Sequence, residues 1–151
     1  MDFTGESPKN AEEQRSPGAL RGRFEMIYGI GIDLVRVRRI EEALERWGDR
    51  FRKRVYTSGE IEYCLKKRNP SPNFAARFAA KEALVKALGI GMRRGVHWRN
   101  IEVARGPLGI PVLKLNGQAA VLCQRENITG IFVSLTHDSD YSSAVVVLEK
   151  M

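Results

Sequence analysis

The chain has 151 residues, 43% of them hydrophobic, with 25 Lys and Arg against 18 Asp and Glu. That is the size of one ordinary domain, long enough to bury a core without disulfides or a structural metal. No run approaches the roughly 18 apolar residues needed to span a bilayer, and the net charge of +7 favours an anionic partner without choosing among nucleic acid, nucleotide, membrane surface and acidic protein.

Residues 1–25 are polar, carry Gly5, Pro8, Pro17, Gly18 and Gly22, and lack the apolar core of a signal peptide. They are expected to be a disordered extension, with the folded domain running from 26 to 151. Cys64 and Cys123 are far apart and form no disulfide framework. They read as ordinary thiols of a reducing, cytoplasmic compartment.

From Met26 the sequence MIYGIGIDLV alternates as a strand, with Tyr28, Ile30, Ile32 and Leu34 on one face and Gly29, Gly31 and Asp33 on the other. Glycines in a strand mark close approach of a ligand or another backbone. Asp33 beside them therefore looks like an acid with cleared space in front of it. A cap of the following helix is the alternative role for Asp33. The next stretch, VRRIEEALERWGDRF, repeats Val37, Ile40, Leu44 and Trp47 at helical spacing and predicts one amphipathic helix, with Arg39, Arg46 and Arg50 on another side. Thr57-Ser58-Gly59-Glu60 has the form of a capping box opening a short helix through Lys67.

The segment NFAARFAAKEALVKALG predicts a helix that is apolar nearly all round, hence buried, ending at Gly89. A glycine-rich loop, two short strands at 101–104 and 111–115, a helix over 117–126 and a terminal hairpin turning at 137–141 complete the pattern. The sum is an α+β single domain with a mostly antiparallel sheet packed around a long buried helix.

The buried helix carries four charges, Arg77, Lys81, Glu82 and Lys86, as two pairs four residues apart. Such pairs on a solvated helix contribute only a few tenths of a kcal/mol each, roughly, whereas burying a charge costs several. Four charges on a buried helix point to a wet, charged cleft along one side. Asp33 and Glu82 together suit a hard cation, since magnesium takes one or two carboxylates and completes its shell with water and phosphate oxygens. His137, just after a strand, reads from the residues alone as an exposed turn histidine. The dense arginines Arg36, Arg38, Arg39, Arg46, Arg50, Arg52 and Arg54 suit docking of an acidic surface. On these grounds a nucleic-acid-binding module and a magnesium-dependent phosphodiesterase remain open, although no nucleic-acid motif is present.

Three segments, GIGIDLVRVRRI, RFAAKEALVKALG and SLTHDSDYSSAVVVLE, resemble in order and spacing the signature segments of the 4′-phosphopantetheinyl transferases, and in length their short, single-domain branch, the holo-[acyl-carrier-protein] synthases. The resemblance runs from about Met26 to Glu149. It implies a cytoplasmic enzyme of fatty-acid metabolism that moves phosphopantetheine from coenzyme A to a serine of an acyl carrier protein, with no nucleic-acid or membrane partner. It implies magnesium held by Asp33 and Glu82, with Glu82 and Lys86 catalytic, and coenzyme A contacted by Arg77, Lys81, Gly89, Gly91 and His137. It further implies carrier-protein docking through Arg39, Arg46, Arg50 and Arg54, and a homotrimer with active sites at subunit interfaces. Two features depart from the pattern: the N-terminal extension, and Ile110 in the LGIP turn (108–111) where relatives commonly carry lysine.

Overall fold

A computed structural model describes residues 24–151, so most of the N-terminal extension lies outside the described residues. The first strand, β1 (Met26–Arg36), is followed by helices α1 (Val37–Trp47), α2 (Asp49–Val55), α3 (Ser58–Leu65) and α4 (Ser71–Leu88). Strands β2 (Ile101–Arg105) and β3 (Pro111–Leu115), helix α5 (Gly117–Arg125), and strands β4 (Ile128–His137) and β5 (Tyr141–Lys150) complete the fold.

The single helix expected after β1 is two. Gly48 breaks it at φ 51°, ψ −129°, a conformation open to glycine and hostile to a Cβ, and its N–H still closes the last turn of α1 on Leu44 O at 2.8 Å. Arg50 therefore sits on α2, not on the helix that carries Arg39 and Arg46. The capping box of α3 forms as the residues dictate: Thr57 Oγ1 accepts from the Glu60 N–H at 3.3 Å and Glu60 Oε2 accepts from the Thr57 N–H at 2.8 Å.

Helix α4 is the axis of the domain. Of its residues only Asn73, Phe78, Glu82 and Lys86 escape burial. The last three are spaced four apart and form one stripe along the helix. Gly89, left-handed at φ 70°, ends it by donating to Lys86 O and Val85 O.

A three-stranded antiparallel sheet in the order β1-β5-β4 lies against α4, and a separate β2-β3 hairpin packs beside it. Alternation puts Ala144, Val146 and Leu148 of β5 under the helix. Gly29 and Gly31 let β1 come equally close. A Cβ on Gly29 would stand 2.1 Å from Ala87 O, and one on Gly31 1.8 Å from Ala83 O. The space in front of these glycines is thus filled by the α4 backbone. Of the two partners the glycines leave open, ligand or backbone, it is the backbone that approaches. The other face of the sheet is apolar and uncovered: Ile30, Ile32, Leu34 and Phe132 are 56–65% exposed.

Candidate active site

Close packing of β1 on α4 sets Asp33 beside the exposed stripe of the helix. Lys86 Nζ donates to Asp33 Oδ1 at 2.8 Å and to Ile32 O at 3.0 Å. Glu82, one turn before Lys86, has its carboxyl pushed above the usual carboxylate range, first by burial and then by the charge of Asp33, against the opposing pull of Lys86 and Arg39. The structure therefore gathers Asp33, Glu82, Lys86 and Arg39. Two carboxylates held near one another, one of them desolvated, form a pair whose repulsion a divalent cation would relieve, so these residues fit magnesium. Asp33 does not cap α1, whose N-terminus has no side-chain cap.

One turn before Glu82 the stripe begins at Phe78, under the Arg39 guanidinium at 6.0 Å. Phe78 also stacks near Trp98 at 5.1 Å and forms, with Trp47, Phe51, Arg50 and Arg54, a groove of about 790 Å³. Arg46 stands on Trp47 at 4.9 Å, at the groove's edge. Of the four arginines read as a docking surface, Arg50 and Arg54 line this aromatic groove and Arg39 and Arg46 stand over two of its rings, with Glu82 one turn along α4 from Phe78. Phe78 and Trp98 form the groove's apolar floor; in the sequence Phe78 reads as part of the buried helix, and nothing there distinguishes Trp98.

On the other flank of α4 lies a second basic pocket. Arg77 and His137 line a cavity of about 210 Å³ together with Tyr63, Arg105 and Pro111. Arg77 is 5% exposed, its guanidinium lies 4.0 Å over the Tyr63 ring, and its buried Nε has no hydrogen-bond partner. Five residues separate Arg77 from Glu82, which turns them about 140° apart around the helix. Asp33 and Leu135, which stands two residues before His137 and lines the same pocket, both pair with Ala144 from opposite sides of β5. They are about 10 Å apart across the sheet. Helix α4 stands between the two groups, so one chain carries two half-sites rather than one continuous cleft.

Lys81 belongs to neither half-site and does not make the coenzyme A contact that the resemblance implies. Its ammonium is fully buried and its three N–H groups go to Glu60 Oε2 at 2.7 Å, Val55 O at 2.7 Å and Trp98 O at 3.1 Å. Glu60 Oε1 in turn accepts from the Val103 N–H at 2.8 Å. The pair ties α2, α3, α4 and β2 together, and no donor remains for a cofactor. Burial holds the Lys81 pKa below the usual lysine range, with Glu60 opposing the shift. Gly89 is accounted for by the helix end it makes. Gly91, at φ 59°, sits in the following loop with nothing within 4 Å of a would-be Cβ.

The carboxylate pair with its lysine and the separate basic pocket have the charge to meet a cation and a phosphorylated, anionic ligand. The chain belongs to the 4′-phosphopantetheinyl transferase superfamily, whose sequence profile matches residues 29–146. It is 46% identical over 124 residues to the holo-[acyl-carrier-protein] synthase of Syntrophus aciditrophicus, covering 82% of this chain and 97% of that protein. It is 48% identical to the synthase of Koribacter versatilis over the same share of this chain and 99% of the relative. Among solved structures it resembles the Neisseria meningitidis synthase, with a TM-score of 0.76 and 36% identity over 83% of this chain and 100% of that one. The Helicobacter pylori synthase in complex with coenzyme A matches at TM-score 0.69 and 33% identity, over 79% of this chain and 98% of that one. No helix among the described residues is long and apolar enough to cross a membrane.

Proposed function

We infer that the protein is a cytoplasmic holo-[acyl-carrier-protein] synthase, transferring 4′-phosphopantetheine from coenzyme A to a serine of apo acyl carrier protein and releasing adenosine 3′,5′-bisphosphate. The observation that carries this reading is the Asp33, Glu82 and Lys86 cluster at the end of the arginine groove, in a chain of this family. Asp33 and Glu82 would hold magnesium, which supplies charge neutralisation and Lewis acidity at the coenzyme A diphosphate. Lys86, anchored on Asp33 and half-exposed, is placed to meet the charge that develops on the leaving bisphosphate.

The serine oxygen attacks the phosphorus esterified to pantetheine, and the bond from that phosphorus to the bridging oxygen breaks. The serine proton goes to Glu82, directly or through a water. A carboxylate within reach of the serine can take its proton as a general base. The groove of Arg39, Arg50 and Arg54 over Phe78 and Trp98 suits the acidic surface and apolar contacts of a carrier protein, whose serine it would deliver beside Glu82. Arg77 and His137 contact coenzyme A from the second pocket, and Gly91 with Gly89 gives its loop a backbone open to close approach.

The active enzyme is a homotrimer. Two observations support assembly: the two half-sites face away from each other across α4, and the outer sheet face exposes Ile30, Ile32, Leu34 and Phe132. A second copy laid on that face buries it and can bring its Arg77 and His137 toward the first copy's carboxylates.

The test is the intact mass of apo acyl carrier protein after incubation with the enzyme, coenzyme A and magnesium. Gain of one phosphopantetheine, prevented by EDTA, is expected. An unchanged mass, with a carrier that an established transferase modifies, defeats the assignment.

A further inference from the structure

The second pocket holds a residue that neither the helix pattern nor the hairpin pattern singled out. Arg105 is the last residue of β2, and its guanidinium lies 5.8 Å from the centroid of the Tyr63 ring, the ring that also carries Arg77 at 4.0 Å. Lys67 Nζ stands over the same ring at 4.7 Å, and cations gathered on one ring repel each other unless something between them is negative. Among the described residues neither arginine forms an ion pair. Glu102 lines the adjoining small cavity with both, and it can offset only one of the two charges.

The β2-β3 turn makes room for this arrangement. Gly109, left-handed at φ 76°, makes the turn, and the Arg105 guanidinium folds back over it, one nitrogen lying 2.9 Å from where a Cβ on 109 would stand. The turn itself brings no cation, because Leu108 and Ile110 are exposed apolar residues. The cavity of about 210 Å³ is too small for a whole nucleotide but ample for one phosphate group.

We propose that Arg105 is an anion-binding residue that, with Arg77 across Tyr63, clamps a phosphate monoester dianion, and so supplies from β2 the positive charge that Ile110 withholds from the turn. Resting on the function proposed above, the phosphate is the ribose 3′-phosphate of coenzyme A, because the Asp33, Glu82 and Lys86 cluster is occupied with the diphosphate. Two guanidinium forks match the charge and the oxygens of a monoester better than one.

The experiment is calorimetric binding of adenosine 3′,5′-bisphosphate and of 5′-AMP to the full-length wild type, Arg105→Gln and Arg105→Gln/Ile110→Lys. Arg105 is exposed, and equal melting temperatures would verify that the fold is intact. For Arg105→Gln the Kd of the bisphosphate is expected to rise about tenfold, the loss of one charge-assisted contact, with that of 5′-AMP unchanged. Partial recovery in the double variant is expected, since it returns the charge from the other side of the turn. Equal weakening of both nucleotides, no change in either, or no bisphosphate binding by the wild type overturns the proposal. None of these readouts requires transfer to a carrier protein. Absent transfer with a selective Arg105 effect would therefore sink the enzyme assignment alone, and normal transfer with no Arg105 effect would sink this proposal alone.

Discussion

Replacing Lys81 by Met separates two readings of the same residue. The side chain keeps its length and loses its charge. Three groups then lose their bond to Lys81: the Glu60 carboxylate and Val55 O, both buried, and Trp98 O, part-buried. Glu60 would still accept from the Thr57 and Val103 N–H groups, so its carboxylate would be solvated in part but uncompensated in charge. Breaking a buried ion pair by removing one member costs about 3–5 kcal/mol. For a chain of this size each kcal/mol moves the melting temperature by about 2–4 °C, so a drop on the order of 10 °C is expected. The assay is thermal and urea unfolding, paired with calorimetric titration of adenosine 3′,5′-bisphosphate into the folded variant at low temperature. Affinity per folded molecule should stay at the wild-type value, because no Lys81 N–H faces a ligand. Adding Glu60→Gln should recover part of the loss, since the orphaned charge is then gone. An unchanged melting temperature with weakened nucleotide binding would refute the structural assignment and return Lys81 to the cofactor.

Gly31→Ala should destabilise the protein by about 1–3 kcal/mol or more, because the added methyl meets backbone rather than a side chain that could swing aside; a urea midpoint equal to wild type would contradict the packing. Glu82→Gln should abolish transfer in the mass assay yet leave the metal-free protein at neutral pH at least as stable as wild type. The sign follows from the raised pKa: ionising Glu82 is penalised in the folded state, the penalty is full above its folded pKa, and it vanishes below the ordinary carboxylate value. By the same linkage, magnesium affinity, read by calorimetry, should begin to fall at a pH higher than for an unperturbed carboxylate, as protons compete for Glu82. Ile32→Glu, on the uncovered sheet face, should yield monomers by light scattering and lose transfer activity while the isolated fold melts cooperatively; a fully active monomer would show that one chain completes the site by itself.

Much of this protein was legible from local rules. Alternation marked β1, the capping box marked α3, and a continuous apolar run closed by glycine marked α4 as the buried axis, because each depends on neighbours within a few residues. Asp33 and Glu82 stood out because acids are costly in apolar surroundings, and the structure brings them together. What only the tertiary structure decided concerns partners distant in the chain. Lys81 and Glu82 are adjacent charges on one helix, yet Lys81 turns inward because Glu60, 21 residues earlier, is waiting there, and no periodicity encodes that. Gly29 and Gly31 advertised a close approach, but whether ligand or backbone approached depended on where α4 lay. Arg77 and Glu82 looked like members of one cleft until the helix, packed across β5, put them on opposite flanks. Arg105 and Tyr63 acquire a shared role only because β2 and α3 meet beside Arg77. Burial and spacing along the chain are written in the residues themselves, whereas the side of an element that a charge faces is settled by what packs against it.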